Sequence, residues 1–336
     1  MRRPVNSWLL GLLLLGLAAL ACANQNSIPA ATLAPVIVTV ELSTAQPSSF
    51  PSASATPAHA TPSPPALTAR PTTDAPAQGY AGYVSGISAH ARQVFQLGQR
   101  LGNRPNVFSK VGDSITASPL FLSPIGVGQY NLRSYTELQG LIDFYSASNA
   151  RGNDNSFYNT SLAAKVSWRA QSVLSPDQAD PAYCNAGETP LACEYRLVRP
   201  SVALIMLGTN DVPFTTDVDF EFDMRQVVQV TLQSGVIPVL STIPPLFRTG
   251  LDGRAEQLNV IIVKLAHEYD IPLWDYWSAL QGLPNSGMAS DGVHPDWAPQ
   301  GHNADFAAEY LQYGTVVRNL TALYVLDGIR RQVVQP

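Results

Sequence analysis

Three short polar blocks in this sequence hold residue types that together can move an acyl group. They are Gly112-Asp113-Ser114-Ile115-Thr116, Gly208-Thr209-Asn210-Asp211 and Asp291-Gly292-Val293-His294-Pro295. A serine hydroxyl is a weak nucleophile until an adjacent base takes its proton. An imidazole does this when a carboxylate on its other nitrogen holds the right tautomer. Asp291 stands three residues before His294, so one turn can set both on the same face. The oxyanion that develops needs fixed donors, which an amide side chain such as Asn210 and backbone N–H groups supply. Each residue also has a plainer reading, Ser114 as a helix cap and Asn210 as a turn former. Asp113 and Asp211 read as carboxylates that brace their loops.

Such residues need elements that bring them together, and the apolar pattern supplies them. Asn106 to Val111, Ser201 to Leu207, Val236 to Ile243 and Ile271 to Trp274 are short apolar runs suited to buried strands. Helical periodicity fills Ile87 to Leu101, Tyr135 to Tyr145, Asp217 to Gln233 and Arg254 to Tyr269, with further helices expected around Gly301 to Tyr313 and Val316 to Arg331. Alternation of this kind implies an α/β fold, with a parallel sheet of about five strands covered by helices on both faces. Ligands bind beyond the carboxyl ends of such strands. The first two blocks follow strands directly, and the third follows the last strand and a Gly- and Pro-rich loop.

In that chain order, Ser114 within Gly-Asp-Ser, Asn210 within Gly-Thr-Asn-Asp and the Asp291-x-x-His294 pair resemble the SGNH (GDSL-like) hydrolase family. The resemblance covers nearly all of the chain from about Tyr80 to Gln332. It implies a three-layer α/β/α sandwich with a flavodoxin-like sheet and carboxyl-ester hydrolysis without cofactor or metal. It also implies Ser114 as nucleophile, His294 as base, Asp291 as its orienter, and the Ser114 backbone with the Asn210 side chain as oxyanion donors. One departure stands out. The family's second block usually provides a further donor from a Gly within a stretch like Asn-x-Gly-x-x-Gly, but Ser161 to Trp168 contains no Gly. Ser167 aligns best with that position, and Gly152 in the preceding loop is the second candidate. No Gly-x-Ser-x-Gly elbow occurs, which argues against an α/β-hydrolase.

The first eighty residues tell of destination instead of chemistry. Arg2 and Arg3 precede an apolar run, Trp8 to Leu20, too short to span a bilayer comfortably. Ala18-Ala19-Leu20-Ala21-Cys22 then looks like a relaxed bacterial lipobox, with Cys22 as lipid anchor and tie to the membrane; ordinary cleavage after Ala21 or Ala23 is the alternative reading. The expected organisation is a signal peptide over 1–22, a Pro/Ser/Thr/Ala-rich linker over 23–79 and a hydrolase domain over 80–336. The linker composition cannot bury enough surface to fold. Setting Cys22 aside leaves Cys184 and Cys193 as an even pair, expected to join in an oxidising compartment, and their Asp- and Pro-rich setting, Asp177 to Pro190, suits a stapled surface excursion.

The net charge of −5 and the absence of any Lys/Arg run exclude nucleic acid as partner. No Cys or His spacing suits a zinc site. His302 reads as structural or rim, and His267-Glu268 as helix surface. Tyr130, Trp168, Phe214 and Trp297 are candidates for an acyl or sugar cleft, or for the core. Location outside the cell favours an acyl group on a glycan, or a nutrient ester, as substrate. Two rival readings share these motifs: an acyltransferase of the same fold acting on a glycan hydroxyl, and a non-catalytic glycan-binding module.

Overall fold

The two densest apolar runs become the middle of the sheet. The structure, a computed structural model, describes residues 79–335; the expected leader, Cys22 and the linker lie outside them. Strand β2 (Arg104–Gly112) pairs in parallel with β5 (Pro200–Met206), β5 with β6 (Ile237–Ser241), and β6 with β7 (Leu273–Trp274). Every residue of β5 is buried, as a strand covered on both faces requires. The sheet is not wholly parallel. The two-residue strand β1 (Val84–Ser85) caps its far edge antiparallel to β7, too short to carry a strand pattern in the sequence. A separate hairpin, β3 (Asn149–Arg151) with β4 (Asp154–Asn155), lies outside the main sheet.

Helices cover the sheet in two groups. On one side α5 (Pro190–Val198) packs on α6 (Asp217–Gln233), and α6 on α7 (Arg254–Glu268). On the other, α4 (Gln139–Ser146) packs on α9 (Gly314–Ile329), and α1 (Ala89–Leu101) on the turn that continues α9. The result is the three-layer α/β sandwich that the alternation implies. Local chemistry sets the helix starts. The Thr216 hydroxyl accepts from the Asp219 N–H at 3.1 Å, and Ser88 caps α1 in the same way. Among the described residues no helix is long and apolar enough to cross a membrane.

Two expectations need correction. Gly301 to Tyr313 is not an α-helix: Gln300 and Gly301 adopt φ of 53° and 84°, and the chain pairs instead with Asn131. The Asn131 N–H donates to Ala304 O at 2.9 Å, and the Phe306 N–H to Asn131 O at 3.0 Å. Backbone groups committed sideways cannot make helical bonds. The second correction concerns Cys193. It lies inside α5, fully buried, and not on a surface excursion. Thr189 caps this helix and Pro190 occupies its first turn.

Cys184 and Cys193 form the disulfide, with their Cα atoms 5.3 Å apart. The closed loop is short, so its opening should cost no more than about 3 kcal/mol on the chain-entropy estimate. Thiol titration of the unfolded, unreduced domain should find neither sulfur free; two reactive thiols would contradict the bond.

Candidate active site

Pairing of Val111 with Ile205 and Gly112 with Met206 makes β2 and β5 end level. The chain after β2 forms a single helical turn, α2 (Ser114–Ala117), capped by Asp113. Its Oδ1 accepts from the Ile115 N–H at 2.9 Å. Burial drives the Asp113 carboxyl up from the usual carboxylate range, opposed by that N–H and by the charge of Arg318. Gly112 admits no side chain, because a Cβ there would strike the Thr116 hydroxyl and the Met206 carbonyl. At the other end of the turn, Arg318 of α9 donates to Ile115 O at 2.5 Å and to the Thr116 hydroxyl at 3.0 Å. The guanidinium is buried over the Phe121 ring, 3.7 Å from its centroid. Burial lowers its pKa to about 10, so it remains a cation at neutral pH.

The third block is a loop that braces itself. Asp291 Oδ1 accepts from the N–H groups of Val293 and His294 at 2.9 and 3.0 Å. Its Oδ2 lies 2.6 Å from Nδ1 of His294, and Nε2 of the same ring lies 2.9 Å from Ser114 Oγ. Ser114, His294 and Asp291 are thus joined in one relay, with Nδ1–H donating to the carboxylate and the serine O–H donating to Nε2. Partial burial pushes the Asp291 carboxyl up, but the His294 and Val293 N–H groups and the ring outweigh it and hold it at about 2. The carboxylate is therefore ionised wherever the protein is folded near neutrality. Gly292, at φ 68°, sits under the Phe247 backbone, where a Cβ would collide.

The second block ties a loop instead of touching Ser114 directly. Asn210 Nδ2 donates to Trp168 O at 3.1 Å, which uses one of its two N–H groups. Asp211 accepts from the Ala170 N–H at 3.1 Å and from the Thr215 hydroxyl, and burial raises its pKa to about 6. Lys165 N–H donates to Gly112 O at 3.2 Å. The segment 165–170 is thereby laced to the ends of both strands that flank Ser114. Within it Ser167 adopts φ 64°, the left-handed conformation that glycine takes readily. The residue aligned with the family's missing Gly has a glycine-like backbone. Gly152, the other candidate, turns the hairpin between β3 and β4 at φ 58°, with open space around its Cα.

A cavity of about 330 Å³ opens at the relay, lined by Ser114, His294, Ile115, Leu120, Val166 and Trp297 among others. Its mostly apolar walls suit a small acyl group. Trp168 is buried, while Phe214 is exposed. His302 stacks on Tyr310 and lies 3.4 Å from Asp305, a structural arrangement. Among the described residues, the cluster of metal-ligating types at Cys184, Glu188 and Cys193 has both sulfurs committed to the disulfide. Sequence reading passed over Arg318 and Lys110. The available signal was a lone cation inside an apolar run, at Val316-Val317-Arg318 and at Val107-Phe108-Ser109-Lys110-Val111.

Residues 111–303, more than half of the chain, match the model of the GDSL-like lipase/acylhydrolase family, and the matched stretch holds all three blocks. No curated protein matches the chain. Among solved structures, a lipolytic protein of the G-D-S-L family from Desulfitobacterium hafniense is 15% identical, covering 66% of this chain and 99% of its own, with a TM-score of 0.39. A GDSL-like lipase from Bacteroides thetaiotaomicron is 12% identical, with coverages of 74% and 98% and a TM-score of 0.39. An acetylxylan esterase from Geobacillus stearothermophilus is 18% identical, with coverages of 65% and 93% and the same TM-score of 0.39.

The left-handed Ser167 gives a direct test of its backbone role. A non-glycine residue there costs roughly 1–2 kcal/mol, so Ser167→Gly should stabilise the fold by about 1 kcal/mol. Melting should rise by about 2–4 °C for a domain of this size, with kcat retained if the backbone alone matters at this position. Loss of kcat in the Gly variant would mean that the hydroxyl itself takes part.

Proposed function

We propose, from the premise that this chain belongs to the GDSL-like lipase/acylhydrolase family and is an ester-hydrolysing serine hydrolase, that Ser114 is its nucleophile. The observation that carries the proposal is the continuous relay from Ser114 Oγ through both nitrogens of His294 to Asp291. Ser114 Oγ attacks the ester carbonyl carbon while Nε2 of His294 takes the hydroxyl proton. The tetrahedral adduct collapses, the C–O bond to the alcohol breaks, and the imidazolium returns the proton to the departing oxygen. Water then attacks the acyl-serine, giving its proton to His294. The acid leaves and Ser114 regains its proton. Asp291 stays ionised, keeps the Nδ1 proton in place and stabilises the imidazolium at each stage.

In this reading the oxyanion meets the Ser114 backbone N–H, since the next N–H groups of α2 already donate to Asp113. The second Asn210 N–H and the Ser167 backbone complete the set of donors in this reading. The enzyme acts outside the cytoplasm on acyl groups carried by a glycan, tethered through Cys22. The basic and apolar N-terminus, the Cys184–Cys193 bond and the Pro-rich spacer support that placement. The formed relay disfavours a purely binding module, which has no use for an aligned base.

Replacing His294 with Ala should abolish nearly all turnover while melting stays near wild type. Asn210→Ala should lower kcat by about 10² to 10³ with little change in KM, because an oxyanion donor strengthens only as charge develops. Because Asn210 also holds Trp168 O, melting must be read alongside. Full kcat with depressed melting would withdraw Asn210 from the site. For the tether, a fatty-acid probe should label the full-length protein, and Cys22→Ala should release it. Unlabelled, soluble wild-type protein would instead indicate plain secretion.

A further inference from the structure

Among the described residues no strand pairs with the outer edge of β2. In a flavodoxin-like sheet a strand runs there, but here the pairing is a single parallel bridge, Gly112 with Ala164. Three contacts of the β2 backbone close the edge: the Phe108 N–H donates to Ser156 Oγ at 3.0 Å, the Gly112 N–H to Ala163 O at 3.0 Å, and the Lys165 N–H to Gly112 O at 3.2 Å. Beside this edge lies a cavity of about 740 Å³, bounded by Asn159 to Ser161 and Ala164 and, facing them, by Thr116 to Leu120. Residues Ala117 to Leu120 also line the smaller cavity that holds Ser114 and His294. Ala117 is three residues beyond Ser114 in α2, a rise of about 5 Å. A substrate ester held at Ser114 therefore has one short segment to cross between the two spaces.

The larger cavity is distinctly more polar than the smaller one. Lys110, 6% exposed, lines it and gives Phe157 O one hydrogen bond at 2.8 Å, leaving further N–H capacity on a three-donor group. Asn159, 2% exposed, also lines it, and its Oδ1 has no partner. Ser123, Gln129 and Asn303 add hydroxyl and amide groups, while Tyr158, 47% exposed, offers an aromatic face. Polar groups around the edge and a ring beside them match a molecule with a hydroxyl-bearing rim and an apolar C–H face. Buried, incompletely satisfied polar groups also penalise any occupant that cannot bond to them.

We infer that this cavity seats the alcohol half of the ester, and that the alcohol is a pyranose sugar whose hydroxyls meet Lys110 and Asn159. The inference rests on Ser114 as the nucleophile. The acyl group occupies the smaller cavity with the ester carbonyl at Ser114, and the alcohol half passes over the Ala117–Ser118 backbone into the larger one. Lys110 and Asn159 thus set specificity for the leaving group without touching the reacting atoms.

The test compares methyl 6-O-acetyl-glucopyranoside with ethyl acetate, which has the same acyl group and no ring. Wild-type enzyme should favour the sugar ester by about tenfold or more in kcat/KM. Lys110→Met, nearly the same in shape, and Asn159→Ala should each lower kcat/KM for the sugar ester about tenfold more than for ethyl acetate, mainly through KM. If either core variant fails to fold, Thr160→Trp at the exposed rim should fill the cavity and give the same selective loss. In a Ser114→Ala background, saturation-transfer NMR should detect the sugar ester bound, and Lys110→Met should remove the signal. Cleavage of ethyl acetate with no preference for the sugar ester would overturn the subsite while leaving the esterase reading in place. Failure of an organophosphonate to label Ser114, with neither ester cleaved, would overturn both.

Discussion

Parallel strands in fixed register must deliver their following loops to the same rim, and β2 and β5 meet at Gly112 and Met206. The two loops inherit their spacing from that pairing, and side chains alternate so strictly that a slip of one residue would turn each strand inside out. Segment 165–170 is bound to both loops, through Gly112 O on one side and through Asn210 and Asp211 on the other. Ser167 is therefore held in its left-handed conformation by its neighbours, not by its own preference.

Charge is buried around the serine turn in a way that a core built for stability alone would avoid. Asp113 lies at the start of the turn and Arg318 at its end, both almost fully buried. The Nε of Arg318 has no hydrogen-bond partner, and the cation leans on Phe121, Trp274 and Tyr276 instead of a close carboxylate. Desolvating such groups costs several kcal/mol each, only partly offset by their contacts. What they secure is position. Ile115 is held at its N–H by Asp113 and at its carbonyl by Arg318, so the residue after Ser114 cannot rotate without breaking both.

The frame and the candidate site were legible in the sequence because both are written locally. Apolar runs mark β2, β5 and β6, and α6 begins and ends at the residues its cap and period indicate, Asp217 and Gln233. Ser114, Asp291 and His294 stand out through short motifs whose geometry depends on near neighbours. What was not legible depends on distant partners. The antiparallel edge β1 follows from pairing with β7, and the loss of helix after Gly301 from pairing with Asn131. Arg318 reads as an anomaly in an apolar helix until Phe121 and Ile115 are seen beside it. Ser167 aligned with a glycine position, but only its φ of 64° shows that the backbone there is one that glycine takes readily.

One helix sets the distance between Ser114 and His294. Asp291 orients His294 within its own loop, through Oδ1 to the backbone and Oδ2 to the ring, so tautomer needs no outside help. Placement does. Two residues past His294, Asp296 accepts at Oδ1 from the Gly314 N–H at 2.6 Å and at its carbonyl from the Thr315 N–H at 2.9 Å. Those N–H groups belong to the first turn of α9 and have no partner within the helix. About one turn further along, the same helix sends Arg318 to Ile115 O and the Thr116 hydroxyl. The loop with His294 hangs on the end of α9, and the serine turn hangs on its next turn. Because a helix is stiff over so short a span, the 2.9 Å between Ser114 Oγ and His294 Nε2 is set by backbone geometry rather than by the two side chains finding each other.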